Sequence, residues 1–309
     1  MFATQQMNRK KVRQMTDTFL ANAPAKRYRD IEIRTFRSYA RKIALDALSL
    51  LPGSTDGQKR PRLHFIYLHY VFDDEQKNFR KLIEELIRTG HQFASHSAAV
   101  DRVATGKFDH PIVSISFDDG VANCLQAAEI LNEFDISACF YLSSGLLGDQ
   151  RNARKMLMTA TRYAVQPVQY MSWDDACRLR DLGHEIGGHT RNHVDVAKLG
   201  DSQLHDEIHE DRQILLKRVG VVDHFAWPFG RPQNFSDEGR KQVFQAGYRS
   251  CASAVRGAHV VASGSSDFCI RRDNVVAAWP VRHNVHLIAK SAQAASPEMN
   301  DWPSLKQNS

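Results

Sequence analysis

The chain has 309 residues, 42% of them hydrophobic and 25% charged, enough apolar side chain for a large core, so wholesale disorder is excluded. No apolar run approaches the ~20 residues of a membrane-spanning helix. The five cysteines (Cys124, Cys139, Cys177, Cys251, Cys269) form no Cys-x-x-Cys pair, which argues against a disulfide scaffold or a cysteine zinc site and for a reducing compartment.

The net charge of +6 is unevenly placed. Residues 1–60 hold thirteen Lys/Arg against five Asp/Glu, a net of +8, and the rest carries a net of −2. Basic residues at Arg9, Lys10, Lys11 and Arg13 precede an apolar stretch around Phe19 and Leu20 that is too short for the core of a secretion signal. The expected location is therefore the cytoplasm, with peripheral attachment at the inner membrane face as an option. Over residues 31–51 the spacing of Ile33, Phe36, Ala40, Ile43, Ala44, Ala47 and Leu51 predicts an amphipathic helix, with Arg34, Arg37, Arg41 and Lys42 on much of the other face. Its apolar stripe either covers the main domain, the favoured reading, or lies on an anionic membrane surface. No recognition motif accompanies the basic arm, so nucleic acid is not an expected partner.

Pro52-Gly53 ends this helix, and residues 54–60 read as a linker. Beyond it, strand and helix signals alternate. Residues 63–71 form an apolar, β-prone run, and Phe79, Leu82, Ile83, Leu86 and Ile87 mark a helix that Gly90 ends. Residues 112–117 read as a strand, followed by a helix through Leu125, Ile130 and Leu131, then a strand at 136–142. A helix through Trp173, Cys177 and Leu182 precedes a short strand at 184–186. Leu204, Ile208, Leu215 and Val219 mark a longer helix closed by Gly220. A strand at 225–227, a helix containing Val243 and a strand at 248–254 complete the pattern. Repeated β-then-α units imply parallel strands with helices outside, in a barrel or a doubly wound sheet. The chain divides into a basic helical extension and linker (1–60), a main α/β domain (61–290) and a C-terminal tail (291–309).

Two clusters carry chemistry. Ser116-Phe117-Asp118-Asp119-Gly120 falls where a strand ends, the place where α/β folds gather reactive groups. Adjacent carboxylates there can divide the work, one holding a metal and one staying free as a base. Asp-Asp recurs at 73–74 and 174–175, so the pair alone decides little. The second cluster is Glu185-Ile186-Gly187-Gly188-His189-Thr190-Arg191-Asn192-His193. Histidines four apart can share one side of a helical turn and one metal. The zinc-protease pattern fails, because Thr190 stands where it needs Glu. Two His and one Asp leave coordination positions open for water. A third element, Phe225-Ala226-Trp227-Pro228-Phe229-Gly230, runs from a strand into a Pro/Gly turn and suits a pocket wall.

In this order and spacing the clusters resemble the polysaccharide deacetylase family (NodB-like, carbohydrate esterase family four). Residues 116–120 match its Thr/Ser-Phe-Asp-Asp-Gly motif, and residues 189–193 its His-Ser/Thr-x-x-His motif, preceded by Gly-His-Glu-Ile-Gly at 183–187. Residues 225–230 match Phe-Ala-Tyr-Pro-Phe-Gly with Trp227 in place of Tyr, and Tyr67-Leu68-His69-Tyr70-Val71 looks like the family's first strand. The resemblance implies a distorted (β/α) barrel with a divalent metal, usually zinc. It implies Asp119, His189 and His193 as ligands, Asp118 as general base, and a pocket that takes substrate against Trp227, Pro228 and Phe229. The activity implied is hydrolysis of an N-acyl group, first of all acetyl, from an amino sugar in a polysaccharide, oligosaccharide or lipid-linked precursor. The same scaffold also serves deformylation and the opening of cyclic ureides or imides, a choice that residues 156–165 are placed to shape. A carbohydrate-binding relative without catalysis is the third reading.

The chain departs from the family twice. Where many members carry an Arg that orients the base, it has Ala226; Arg272, in Cys269-Ile270-Arg271-Arg272-Asp273-Asn274-Val275, is expected to reach Asp118 instead, against the alternative of a surface Arg. The family's Leu-x-His motif, which supplies the general acid, has no clean match. His283, His286 and His69 are imperfect candidates, and the acid stays unassigned.

Overall fold

The computed structural model describes residues 36–51, 61–106, 108–148, 169–260, 262–263 and 267–303. The basic residues at 9–13, the expected linker at 54–60 and the segment 156–165 lie outside the described residues.

Among the described residues, nine strands form one sheet: β1 (Arg62–Leu68), β2 (Gln92–Phe93), β3 (Pro111–Phe117), β4 (Ala138–Leu142), β5 (Glu185–Gly188), β6 (His224–Ala226), β7 (Ser250–Ala252), β8 (Cys269–Ile270) and β9 (Arg272–Asn274). Their order is β8-β7-β6-β5-β4-β3-β1-β9, with β2 also on β3, and the ladders between them are parallel. The two edge strands are one stretch of chain interrupted at Arg271: β8 pairs with β7, and β9 pairs with β1. The sheet thereby curls into a nearly closed (β/α) barrel, as expected, and the seam brings Arg272 opposite Phe65.

Strand alternation sorts the apolar residues into two cores. One face of each strand (Ile66, Ile115, Phe117, Phe140, Ile186, Phe225) packs outward against the helices. The other (Leu63, Phe65, Ile112, Tyr141, Ala226, Ile270) fills the barrel. Burial on both faces is why these strands read as continuous apolar runs.

The described helices are α1 (Phe36–Leu48), α2 (Gln76–Arg88), α3 (His96–Thr105), α4 (Cys124–Asn132), α5 (Trp173–Asp181), α6 (Asp201–Leu204), α7 (Asp211–Val219), α8 (Asp237–Gln245) and α9 (Val281–Ala294). α2 buries Phe79, Leu82, Ile83 and Leu86. A capping box between Ser172 and Asp175 starts α5. α3 starts at Ser95, whose side chain accepts from Ala98 N, and sends Ala99, Val100 and Val103 into the inner core. Because Leu63 and Ile112 lie at the starts of β1 and β3, α3 closes the N-terminal end of the barrel and leaves the C-terminal end for chemistry. α6 and α7 are joined by a π turn, His205–Glu210, where the sequence pattern suggests one unbroken helix.

Two expectations need correction. The apolar stripe of α1 does not cover the body: Ala40, Ala44 and Ala47 are exposed and Ile43 is 52% exposed. The helix docks instead through buried Leu45, through Arg41 4.6 Å above the Trp279 ring, and through Asp46, which accepts from Arg282 and from His283 Nε2 (2.9 Å). Three of the seven stripe residues are alanine and offer little apolar area, and the polar contacts tie the helix to the body. The boundary at 290 also does not mark the start of a free tail. α9 runs through it, and Trp302 lies along Trp227 (6.2 Å between rings) and Phe235 (5.8 Å).

Candidate active site

β3 delivers the first cluster to the C-terminal end of the barrel. Asp118 N donates to Leu68 O (2.9 Å), continuing the β1–β3 pairing by one rung. Asp119 (φ 74°) and Gly120 (φ 66°) then turn the chain through two consecutive left-handed residues. Aspartate is among the few non-glycine residues that tolerate this region. The turn sends the adjacent carboxylates to different partners.

Asp118 meets Arg272, as the sequence reading anticipated. Arg272 Nη1 donates to Asp118 Oδ1 (2.7 Å) and Nη2 to Oδ2 (2.8 Å). Nη1 also donates to Ser116 Oγ (3.1 Å) and Nε to Ser253 O (2.7 Å). The guanidinium lies 4.5 Å from the Tyr67 ring centre and 5.2 Å from that of Tyr141, and its side chain is completely buried. Burial works to raise the Asp118 carboxyl, but the Arg272 charge, helped by His189 and by the Arg272 hydrogen bonds, holds it below its ordinary value, so it is ionised. Burial pushes the Tyr67 phenol up to about 12, so it stays neutral on the wall of the site.

β5 delivers the histidines. Its last residues must be glycine: a Cβ on Gly187 would lie 2.5 Å from Tyr141 Cδ1, and one on Gly188 2.1 Å from the Tyr248 hydroxyl. His189 and His193 do not share a helical turn, contrary to the spacing argument. They sit in a loop whose Thr190 (φ 57°) and His193 (φ 54°) are both left-handed. The loop nevertheless converges on Asp119 Oδ1, with His189 Nε2 at 3.2 Å and His193 Nε2 at 3.0 Å.

The donor set fits a cation. His189 Nδ1 lies 2.7 Å from Ala226 O, and a carbonyl only accepts, so this nitrogen carries a proton and orients the ring. Nε2 is thereby freed as a ligand atom. His193 Nε2 is buried and faces the same carboxylate oxygen, and the three ligand atoms lie within 4.8 Å of one another. Burial works to raise Asp119, but the charge of His193 and bonds from both imidazoles hold its carboxyl well below the ordinary range. One carboxylate and two imidazoles, with room for further ligands, suit a catalytic zinc-type ion.

A cleft of about 690 Å³ opens above these groups, and Asp118, Asp119, His189, Tyr67 and His69 all line it. Of the three acid candidates, His69 is the one on this wall, and its charge bears on both Asp118 and Asp119. His283 is buried on α9 against Asp46, away from the cleft, and His286 lies on the same helix. Phe229, 39% exposed, lines the cleft 5.2 Å from the His193 ring. Trp227 reaches the wall, yet its ring is buried, stacked 4.3 Å from Phe235 with Nε1 donating to Arg231 O (3.1 Å). Pro228 is buried and is not part of the lining, so of the three expected substrate contacts Phe229 alone is exposed in the cleft. Sequence reasoning missed the Ser253 carbonyl, which no motif marks, and the polar rim of Asp195, Arg231 and Asn234. Ser116 stood inside the first motif and was legible as a position, though its bond to Arg272 was not.

Residues 105–251 match the family model of polysaccharide deacetylase. All three motifs lie inside that stretch, so the resemblance read from them holds. No curated protein matches the chain. Among solved structures the fold is similar to that of IcaB from Ammonifex degensii, at 18% identity and a TM-score of 0.60 over 76% of this chain and 98% of that one. It is similar to the Streptococcus pyogenes deacetylase PplD in complex with acetate, at 14% and 0.59 over 74% and 98%. It is also similar to BC0361, a polysaccharide deacetylase from Bacillus cereus, at 16% and 0.59 over 74% and 69%. At these identities the likeness is one of fold.

Proposed function

We propose that the chain is a metal-dependent hydrolase that removes an N-acyl group, first of all acetyl, from an amino sugar. The observation that carries this reading is the pairing of a buried, Arg-held carboxylate with an adjacent Asp-His-His convergence on the floor of one cleft. Asp119, His189 and His193 would hold the ion, with zinc the metal favoured by the donor set. When bound, the ion polarises the amide carbonyl and offsets charge on its oxygen.

The remaining work falls to the chain's own groups. Asp118 stays ionised and takes a proton from the attacking water. A carboxylate has about four lone-pair sites, and Arg272 occupies two, which leaves acceptors for water. Arg272 fixes the carboxylate plane through both oxygens. His69, on the opposite duty, gives a proton to the departing amine. Phe229 offers an apolar face to a sugar ring.

The test is acetate release from N-acetylated chito-oligosaccharides by purified protein, with and without chelator, alongside metal analysis. Stoichiometric dication, chelator-sensitive release and loss of both in His189→Ala support the reading. Release of formate, or opening of a cyclic ureide or imide, moves the chemistry elsewhere on the same fold, and no turnover with metal bound favours a binding role.

Cytoplasmic residence at an anionic membrane face is part of the same proposal. It is supported by the +8 charge of residues 1–60 and by exposed Ile43, Leu50 and Leu51 beside Arg41 and Lys42. Unchanged binding to anionic liposomes on deleting residues 1–60 would remove it.

A further inference from the structure

His189 and His193 converge on Asp119 without help from a helix. Two of the five residues in their loop are left-handed non-glycines, a conformation that persists only where the surroundings impose it. Within the loop, Thr190 Oγ1 accepts from Val194 N (3.1 Å). The other ties to residues 191 and 192 come from two outside walls. Gly145 N donates to Arg191 O (2.8 Å) on one side. On the other stands Glu207: its carbonyl accepts from Arg191 N (3.0 Å), its Oε2 from Asn192 N (2.8 Å) and its Oε1 from Asn192 Nδ2 (2.7 Å). Three bonds from one residue thus fix two of the three positions between the histidines.

Glu207 lies in the π turn between α6 and α7. Such turns widen the helix and recur at functional sites. Its neighbours serve the same loop. Glu210 Oε2 accepts from Arg191 Nη1 (3.1 Å), and Asp211 Oδ1 accepts from Ser144 N (3.0 Å), beside Ser143, whose hydroxyl donates to His189 O (3.0 Å). The helix grips both walls of the loop.

We propose that Glu207 is a positioning residue for the ion site, holding Arg191 and Asn192 so that His189 and His193 face Asp119. This rests on reading those three side chains as ion ligands. Groups that orient metal ligands typically govern affinity by about 10–100-fold when removed.

The test is the Zn²⁺ affinity of the full-length protein, measured by competition with a chromophoric chelator, together with the visible spectrum of the Co²⁺-loaded form. Glu207→Ala is expected to bind Zn²⁺ about 10–100-fold more weakly than wild type and to alter the Co²⁺ spectrum. Glu207→Gln keeps an acceptor for Asn192 N and loses the one for its side-chain amide, so it should fall between. A folded Glu207→Ala protein with wild-type Zn²⁺ affinity and Co²⁺ spectrum overturns the inference and leaves the metal reading intact. Wild-type protein that binds no Zn²⁺, or binds it equally after His189→Ala, overturns the metal reading and the inference with it. If Glu207→Ala does not fold, Glu207→Gln decides: weaker Zn²⁺ binding supports the role and unchanged binding overturns it.

Discussion

Arg272 meets Asp118 edge to edge, Nη1 on Oδ1 at 2.7 Å and Nη2 on Oδ2 at 2.8 Å, across the seam where β9 joins β1. Lysine cannot copy this fork, since it presents a compact charge on a flexible stem. Arg272→Lys is therefore expected to fold and to lose about 100-fold in kcat, the scale of a misplaced catalytic group. Arg272→Ala leaves a buried carboxylate uncompensated and is expected to cost about 3–5 kcal/mol of stability. Turnover and urea unfolding of both variants check this, and full kcat in Arg272→Ala would end the assignment of Arg272 as the group that orients Asp118.

His69 is the proton donor under the proposed function, and His283 is its contrast as a packing histidine. His69 lines the cleft, whereas His283 bonds Asp46 on α1. Removing a general acid typically costs 10²–10⁴-fold, so His69→Ala should lose about that much kcat with the metal content preserved. His283→Ala should keep wild-type kcat and lose some stability instead. Equal activity of the two variants would leave the donor to be sought elsewhere.

These contrasts track what the sequence could reveal. The strands at 112–117 and 136–142 were legible because both faces are buried, which leaves a plain apolar run. The contact between Arg272 and Asp118 was legible only through the family resemblance, which implies an Arg to orient the base and finds Ala226 where many members carry it. The histidine loop was misread because a four-residue spacing looks helical, while the loop is held from another segment, by three hydrogen bonds to Glu207. The π turn at His205–Glu210 was hidden because Leu204, Ile208, Leu215 and Val219 are all buried and keep an apparently regular helical pattern. α3 was missed because its buried face, Ala99, Val100 and Val103, is short and rich in small residues.

Trp302 supports the cleft from behind. It lies along Phe235 and Trp227, its Nε1 donates to Asp267 Oδ1 (3.1 Å), and the Arg240 guanidinium sits 4.5 Å above its ring. Because Trp227 reaches the cleft wall, loss of Trp302 should loosen substrate contacts as well as the core. Trp302→Ala is expected to cost about 2–3 kcal/mol, below the range for fully buried Trp because this ring is half-buried, and to raise KM more than it lowers kcat. Trp302→Phe retains the stack and should do less of both. Denaturant unfolding and steady-state kinetics on the two variants test the link, and an unchanged KM in Trp302→Ala would break it.

His259 ties the end of the chain to β1 and should make the fold acid-sensitive. Its backbone pairs with Leu63 in both directions (2.9 and 3.0 Å), and its ring lies completely buried. Nε2 accepts from Arg271 N (3.2 Å), so Nδ1 carries the proton it shares with Asn300 Oδ1 (2.6 Å). Burial, opposed by the Asn300 bond and aided by the Arg271 charge, brings its pKa down to about 4 from an ordinary 6.5. The unfolded chain takes up this proton as the pH falls through 6.5, while the native protein does not until about 4. In that window the unfolded state binds more protons, so stability falls with pH, by at most about 3 kcal/mol from this residue, and levels off below it. His259→Gln, which can keep one acceptor and one donor, should be less stable at neutral pH and lose less between pH 6.5 and 4. Urea unfolding across that range measures the slope. Parallel slopes for wild type and variant would place the acid sensitivity in another buried imidazole, of which His91, brought down to about 4 first of all by burial, is the nearest in kind.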